Sequence, residues 1–159
     1  MNIFFLDEDP VLAARYMVNR HVVKMVSESY QMLAVANGIT DGYKNHPCSI
    51  WARENSANYK WLLKHGLAIG DEYKFRYGKT HKTYLKILQL DSQYIYDIPY
   101  SCSITTPALA MPDDCKDSNP VTAYRNYYQK YKNHLFFLKS GKHTWNPREV
   151  PHWINLEGL

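Results

Sequence analysis

Several signals that would assign a function at once are absent from this chain of 159 residues. Its three cysteines, Cys48, Cys102 and Cys115, form no CxxC pair, so we expect reduced thiols rather than a disulfide scaffold or a zinc knuckle. The seven histidines show no HxxxH spacing, and we expect neither a metal site nor a cofactor. No Walker A loop, GxGxxG or GxSxG is present, which excludes classical nucleotide hydrolysis machinery.

Long apolar runs and a strong charge of one sign are also missing. No run approaches the roughly 18 residues that a membrane span needs, and residues 1–9 lack the basic start of a signal peptide. We therefore expect one cytoplasmic domain spanning residues 1–159, with no membrane partner. Nineteen Lys and Arg against fifteen Asp and Glu give only +4, which suits a small anionic ligand at least as well as duplex DNA.

Aromatic residues are abundant, with 14 Tyr, 4 Trp and 5 Phe, and many stand beside Lys, Arg, His or Asn. This composition fits an ordinary core in which polar tips reach the surface. It equally fits a site that stacks bases and binds phosphates. Both interpretations stay open at this point.

Helical periodicity predicts an all-α single-domain bundle with a short N-terminal extended segment. We predict a first helical stretch from Pro10 to Ala36 with a break near Val18, then one from Pro47 to Tyr77 with a break near Gly66 and Gly70. Further helices are expected from Lys79 to Leu90 and from Pro120 to a stop at Gly141. Residues 97–118 contain three prolines and predict a long loop that closes over a ligand.

One face of the first long helix carries three groups suited to chemistry. His21, Lys24 and Glu28 stand at i, i+3 and i+7, so an acid, a base and a fixed cation share that face. The alternative is a solvated face with an ordinary Lys–Glu pair.

The second and last helical stretches add candidate ligand-binding residues. Arg53 and Asn58 lie among three aromatic residues, where Arg can bind phosphate and Asn can read a base edge. Arg76 follows Glu72 by four residues, so its alternative role is a helix ion pair. On the last helix, Arg125 and Tyr127 are expected to point away from the core and reach a ligand.

The stretch from Glu28 to Pro47 is more specific. It carries a Glu on a helix, followed by a Gly-x-Thr-x-Gly-Tyr-x-x-His-Pro turn that begins at Gly38 and includes His46. In this it resembles the pyrimidine-dimer DNA glycosylase family, whose type is the phage endonuclease V. The whole chain also resembles a group of phage proteins that share residues 21–25 and 45–53.

The glycosylase resemblance implies an N-terminal α-amine that attacks a sugar carbon to form an imine, assisted by the matching acid, here Glu28. Asn2 is a large second residue, so we expect Met1 to be retained and to carry that amine. Ser27 stands where the family has Arg before its Glu.

Two functions are compatible with the sequence. The first is binding of a small phosphorylated nucleotide in a basic and aromatic pocket, which in a phage protein would sequester a nucleotide signal of bacterial immunity inside the host cell. The alternative is a DNA glycosylase and lyase that uses Met1 and Glu28. The sequence leaves open whether two protomers build the site. We predict that His21, Lys24, Glu28, His46 and Arg53 converge on one concavity, because short connections make neighbours of successive helices.

Overall fold

The computed structural model describes residues 1–92, 97–157 and 159. Within these residues the chain forms six α-helices: α1 (Pro10–Arg15), α2 (Asn19–Ala36), α3 (Pro47–Glu54), α4 (Ser56–Tyr77), α5 (Lys82–Asp91) and α6 (Pro120–Tyr131). Two 3-10 turns lie at Asp113–Cys115 and Asn133–Leu135. The described ranges contain no β-strand, so the all-α prediction is confirmed. None of their helices is long and apolar enough to cross a membrane.

The first helical stretch follows its sequence signals closely. The Asp9 side chain accepts hydrogen bonds from two backbone amides at the start of α1. The chain leaves the helical conformation before α2, and Val18 is the extended residue that precedes it. Gly38 has φ +66°, and Ile39 N–H donates to Ala34 O, which ends α2 as predicted.

The predicted break near Gly66 and Gly70 is wrong. The chain breaks at Asn55 instead, whose side chain accepts two amides at the start of α4, and α4 runs through both glycines. The glycines allow other helices to approach closely. A Cβ at Gly70 would lie 2.1 Å from the Tyr84 ring of α5, and one at Gly66 would lie 3.1 Å from Ser29 of α2.

The last two helices are shorter than predicted. α5 begins at Lys82 because the His81 ring accepts the Thr83 amide and caps the helix there. α6 ends at Tyr131, since the following residues turn back on themselves. A bridge between Phe137 and His143 closes this turn, so Gly141 belongs to the turn and not to a helix end. Residues 97–118 form the predicted long loop, interrupted by one 3-10 turn.

The N-terminal arm, residues 1–6, is part of the core. Ile3, Phe5 and Leu6 are at most 1% exposed, and Phe5 packs on Trp61 with ring centroids 4.6 Å apart. The two nitrogens of the buried His65 lie 3.0 and 2.9 Å from the carbonyl oxygens of Ile3 and Pro10. The core of α2 and α4 therefore fixes where the chain's first residue lies.

Candidate active site

The N-terminal arm bends sharply and directs the Met1 amine toward α2. Phe4 has φ +45°, an unusual conformation for an aromatic residue, and its amide donates to Asn2 Oδ1 at 2.8 Å. Asn2 Nδ2 donates to Ala110 O at 2.9 Å, which ties the arm to the long loop. The Met1 side chain is only 3% exposed, and Ser49 Oγ lies 3.5 Å from its sulfur. The exposed part of Met1 is therefore its backbone, which includes the amine.

Glu28 contacts the beginning of the chain directly. Its Oε2 lies 3.7 Å from the Met1 amine and accepts the Asn2 amide at 3.0 Å. Its Oε1 lies 2.9 Å from Lys24 Nζ, one helical turn earlier on α2. The Glu28 side chain is 11% exposed, whereas that of Lys24 is 63% exposed. The carboxylate is thus shielded and oriented, while most of the Lys24 side chain stays open to solvent.

His46 lies beside this pair at the start of α3. Its Nδ1 accepts the Cys48 amide at 3.1 Å, which leaves Nε2 as the nitrogen that carries the proton in the neutral ring. Burial and the positive charge of the Met1 amine lower the pKa of His46, and Glu28 opposes this effect. The structure therefore brings Met1, Lys24, Glu28 and His46 together.

Cys48 is the nearby thiol, and it is not set up as a competing nucleophile. Cys48 is fully buried, and burial raises the pKa of its thiol to about 11. A thiol with so high a pKa stays protonated at neutral pH and is unreactive. The amine of Met1 is consequently the better nucleophile next to Glu28.

His21 faces the core instead of the amine. Its ring stacks on Phe4 with centroids 4.4 Å apart, and its Nδ1 lies 2.6 Å from the Tyr128 hydroxyl. Burial, and to a smaller extent nearby positive charges, lower the pKa of His21 to about 3. The residues that carry these charges at neutral pH are Lys132, Lys24 and Arg20. We call Arg20, Lys24 and Lys132 the cationic rim: Lys132 lies over the Tyr127 ring, and Lys24 pairs with Glu28.

Arg53 and Asn58 bind other parts of the protein. Arg53 donates to Lys44 O at 2.5 Å and so supports the turn before His46. Asn58 is fully buried and exchanges hydrogen bonds with Thr105 in the long loop. Its side-chain Nδ2 also donates to Trp51 O at 2.9 Å. Asn58 therefore fastens the loop to α4.

Arg76 has a structural environment as well. Its Nε donates to Glu72 at 2.9 Å, which confirms the helix ion pair. Its terminal nitrogens donate to the backbone carbonyls of Met17 and Arg15 and to Asn19 Oδ1. Arg148 binds the other oxygen of Glu72 at 2.6 Å, so this group holds the C-terminal segment against α4.

The two candidates on α6 also contact the arm. Arg125 donates to Leu6 O at 2.9 Å and pairs with Asp7 at 3.2 Å. The Tyr127 ring stacks beside Phe4 at 6.1 Å, and the ammonium of Lys132 lies 4.9 Å from its centroid. Arg125 supports the arm, and Tyr127 lies between the arm and the cationic rim.

Sequence reasoning missed Asn2 and Ser49. Both act on Met1 through contacts with parts of the chain that no local pattern connects to them, so no sequence signal identifies them. Among the residues that the structure describes, no group of three or more His, Cys, Asp or Glu side chains is placed to hold a metal ion.

Comparison with known proteins agrees with the arrangement around Glu28. The family model of pyrimidine dimer DNA glycosylases matches residues 1–85, just over half of the chain. The match spans the arm and the helices that carry Lys24, Glu28 and His46. No curated protein and no solved structure matches. The match confirms the resemblance seen in the sequence, and the chain belongs to the pyrimidine dimer DNA glycosylase family.

Proposed function

We propose that this protein is a DNA glycosylase and lyase that acts on pyrimidine lesions, with the Met1 α-amine as nucleophile and Glu28 as acid and base. The observation that carries the proposal is the 3.7 Å separation between the amine and the Glu28 carboxylate. A nucleophile beside an oriented acid–base group is the arrangement that covalent catalysis requires. The family match favours this function over nucleotide sequestration.

The chemistry proceeds through an imine. The lone pair of the amine attacks the sugar C1′, and the bond from C1′ to the pyrimidine nitrogen breaks with its electron pair leaving on the base. The amine loses a proton, the ring oxygen gains one as the sugar opens, and a C1′ imine results. Abstraction of a C2′ proton then expels the 3′ phosphate, and water hydrolyses the imine. Glu28 is the group beside the amine that accepts and returns these protons.

The cationic rim supports DNA as the partner. Lys24 pairs with Glu28 itself, and Arg20 and Lys132 add positive charge near His21, which is on the same helix as Glu28. Phosphate contacts are the usual source of affinity for DNA. Ser27, which stands where the family has Arg, lies 3.3 Å from the Thr83 hydroxyl and faces α5. The contact to a phosphate or a base that the family's Arg would make is therefore missing here, and any phosphate contacts would come from the rim residues.

Borohydride trapping tests the proposal. The purified protein, with its first residue checked by mass, is incubated with duplexes that carry one thymine dimer or one abasic site. We expect a covalent adduct whose modified peptide begins at Met1, because borohydride reduces the imine to a stable amine. Acetylation of the α-amine should abolish the adduct.

The matched variants are Glu28→Gln and Glu8→Gln. Glu28→Gln should slow turnover at least about 100-fold, which is the lower end of what acid–base catalysis contributes. Glu8 is exposed and should tolerate the same change without loss. Absence of an adduct on both duplexes would overturn the proposal. Intact recovery of a retained nucleotide would then favour the nucleotide-binding function.

A further inference from the structure

A cavity of about 420 Å³ lies away from Glu28, where α4 begins. We call it the α4 groove, and its lining includes Lys60, Trp61, Lys64, Tyr100, Ser101 and Ile104. Neither Met1 nor Glu28 lines it, and an inference about it does not rest on the proposed function.

The charged residues that line the groove are both lysines, so its charge is positive. Lys60 and Lys64 are exposed and stand one helical turn apart on the same face of α4. Among the described residues, neither lysine forms an ion pair with a carboxylate. Like charges at this spacing destabilise a helix, and Lys60 also lies near the positive end of the α4 dipole. An anion bound between the two lysines would relieve both effects.

An exposed aromatic ring forms the other side of the groove. Tyr100 is 84% exposed, although the backbone on both sides of it is fastened. Pro99 O accepts the Ser56 amide at 2.8 Å, and the Ser101 amide donates to Ser56 Oγ at 3.0 Å. The ring is therefore held open to solvent by an anchored loop, which leaves one face available for stacking.

We propose that the α4 groove binds a nucleotide unit, with its phosphate between Lys60 and Lys64 and its base stacked on Tyr100. A fixed pair of cations beside an exposed ring matches the two halves of such a unit. The cavity volume lies in the range of small-ligand sites. The unit has two chemical sources, a single strand of DNA or a free nucleotide.

Calorimetric titration of the full chain distinguishes the sources. The ligands are a five-residue thymidine oligonucleotide, thymidine 5′-monophosphate and inorganic phosphate. A strand site binds the oligonucleotide tighter than the monophosphate, whereas a site for free nucleotide binds the monophosphate at least as tightly. Inorganic phosphate should bind more weakly than either, because it offers nothing to stack.

Variants test the residues. Tyr100→Ala should weaken binding about fivefold or more, whereas Tyr100→Phe should retain it, since stacking requires only the ring. The double variant K60Q/K64Q should flatten the log–log salt dependence of oligonucleotide binding by about 0.7, the value for one phosphate contact on a single strand. Lys82→Gln, at an exposed lysine on α5, is the matched control.

Three results would overturn the proposal. They are phosphate binding as tight as nucleotide binding, an equal loss in Lys82→Gln, and no binding by either nucleotide ligand at millimolar concentration. The groove and the Met1–Glu28 site have no lining residue in common, so the titration and the trapping experiment test different sites. A failed trapping experiment at Met1 therefore leaves this test intact.

Discussion

Acid should destabilise this protein, and the contribution of His21 to that loss can be measured. Burial and nearby positive charges, including those of Lys132, Lys24 and Arg20, lower the pKa of the His21 ring to about 3, compared with 6.5 in an unfolded chain. The hydrogen bonds agree with a neutral ring. Tyr128 accepts the Val18 amide at 3.2 Å, and its own hydroxyl proton can be donated to the unprotonated His21 Nδ1 at 2.6 Å.

The sign and magnitude follow from proton linkage. Well above pH 6.5 His21 is neutral in both the folded and the unfolded state, so its titration takes nothing from the free energy of unfolding. As pH falls below 6.5, His21 becomes protonated in the unfolded chain, whereas in the folded protein it stays neutral down to about pH 3. Integration between these limits gives a loss of about 2 kcal/mol from pH 7.5 to pH 5, and about 3 kcal/mol by pH 4.

Urea denaturation of the unchanged protein and of His21→Phe isolates this effect. The variant loses the Tyr128 hydrogen bond, which lowers its stability by an amount independent of pH, and the new ring can still stack on Phe4. Other titrating groups, including His65, are present in both proteins and cancel in the difference. Between pH 7.5 and pH 5 the unchanged protein should lose about 2 kcal/mol more than the variant. A difference below about 0.5 kcal/mol would show that folded His21 binds its proton normally, and would refute the reasoning.

Two further substitutions test the packing of α4. Glu72→Gln should lower the free energy of unfolding by about 3 kcal/mol in urea denaturation, because it leaves the buried guanidinium of Arg76, and that of Arg148, without their carboxylate. Gly70→Ala should cost about 1 to 3 kcal/mol in the same assay, because the new Cβ would lie 2.1 Å from the Tyr84 ring. If either substitution left the free energy of unfolding unchanged, the side chains around α4 would have to rearrange freely.

The parts of the fold predicted correctly are those governed by neighbours in sequence. Asp9 before Pro10 caps α1 with its own side chain, and Gly38 ends α2 by adopting a positive φ. The sequence predicts a break at Gly70 because the lack of a side chain weakens a helix locally. Its actual role depends on Tyr84 in another helix, and sequence spacing contains no information about that approach.

The same distinction separates the candidate site residues. Lys24 and Glu28 share a face because they are one turn apart on α2, and the structure places them 2.9 Å apart. Arg125 and Asn58 looked equally suitable by composition. Their partners are Leu6 O and Thr105, distant segments that satisfy the polar groups inside the protein. Residue type alone cannot distinguish a ligand contact from such an internal one.

The packing of the N-terminal arm contributes to the stability of the fold and also positions the Met1 amine. Burial of Phe5 and the contact of His65 with Ile3 O hold the arm in the core. A shift of the arm by one residue would move the Met1 amine, and it would also require buried side chains to move. A residue added before Met1 would leave this packing unchanged and still displace the amine from Glu28. The core therefore determines the position of the amine, and the residues that fold the arm also determine its contact with the carboxylate.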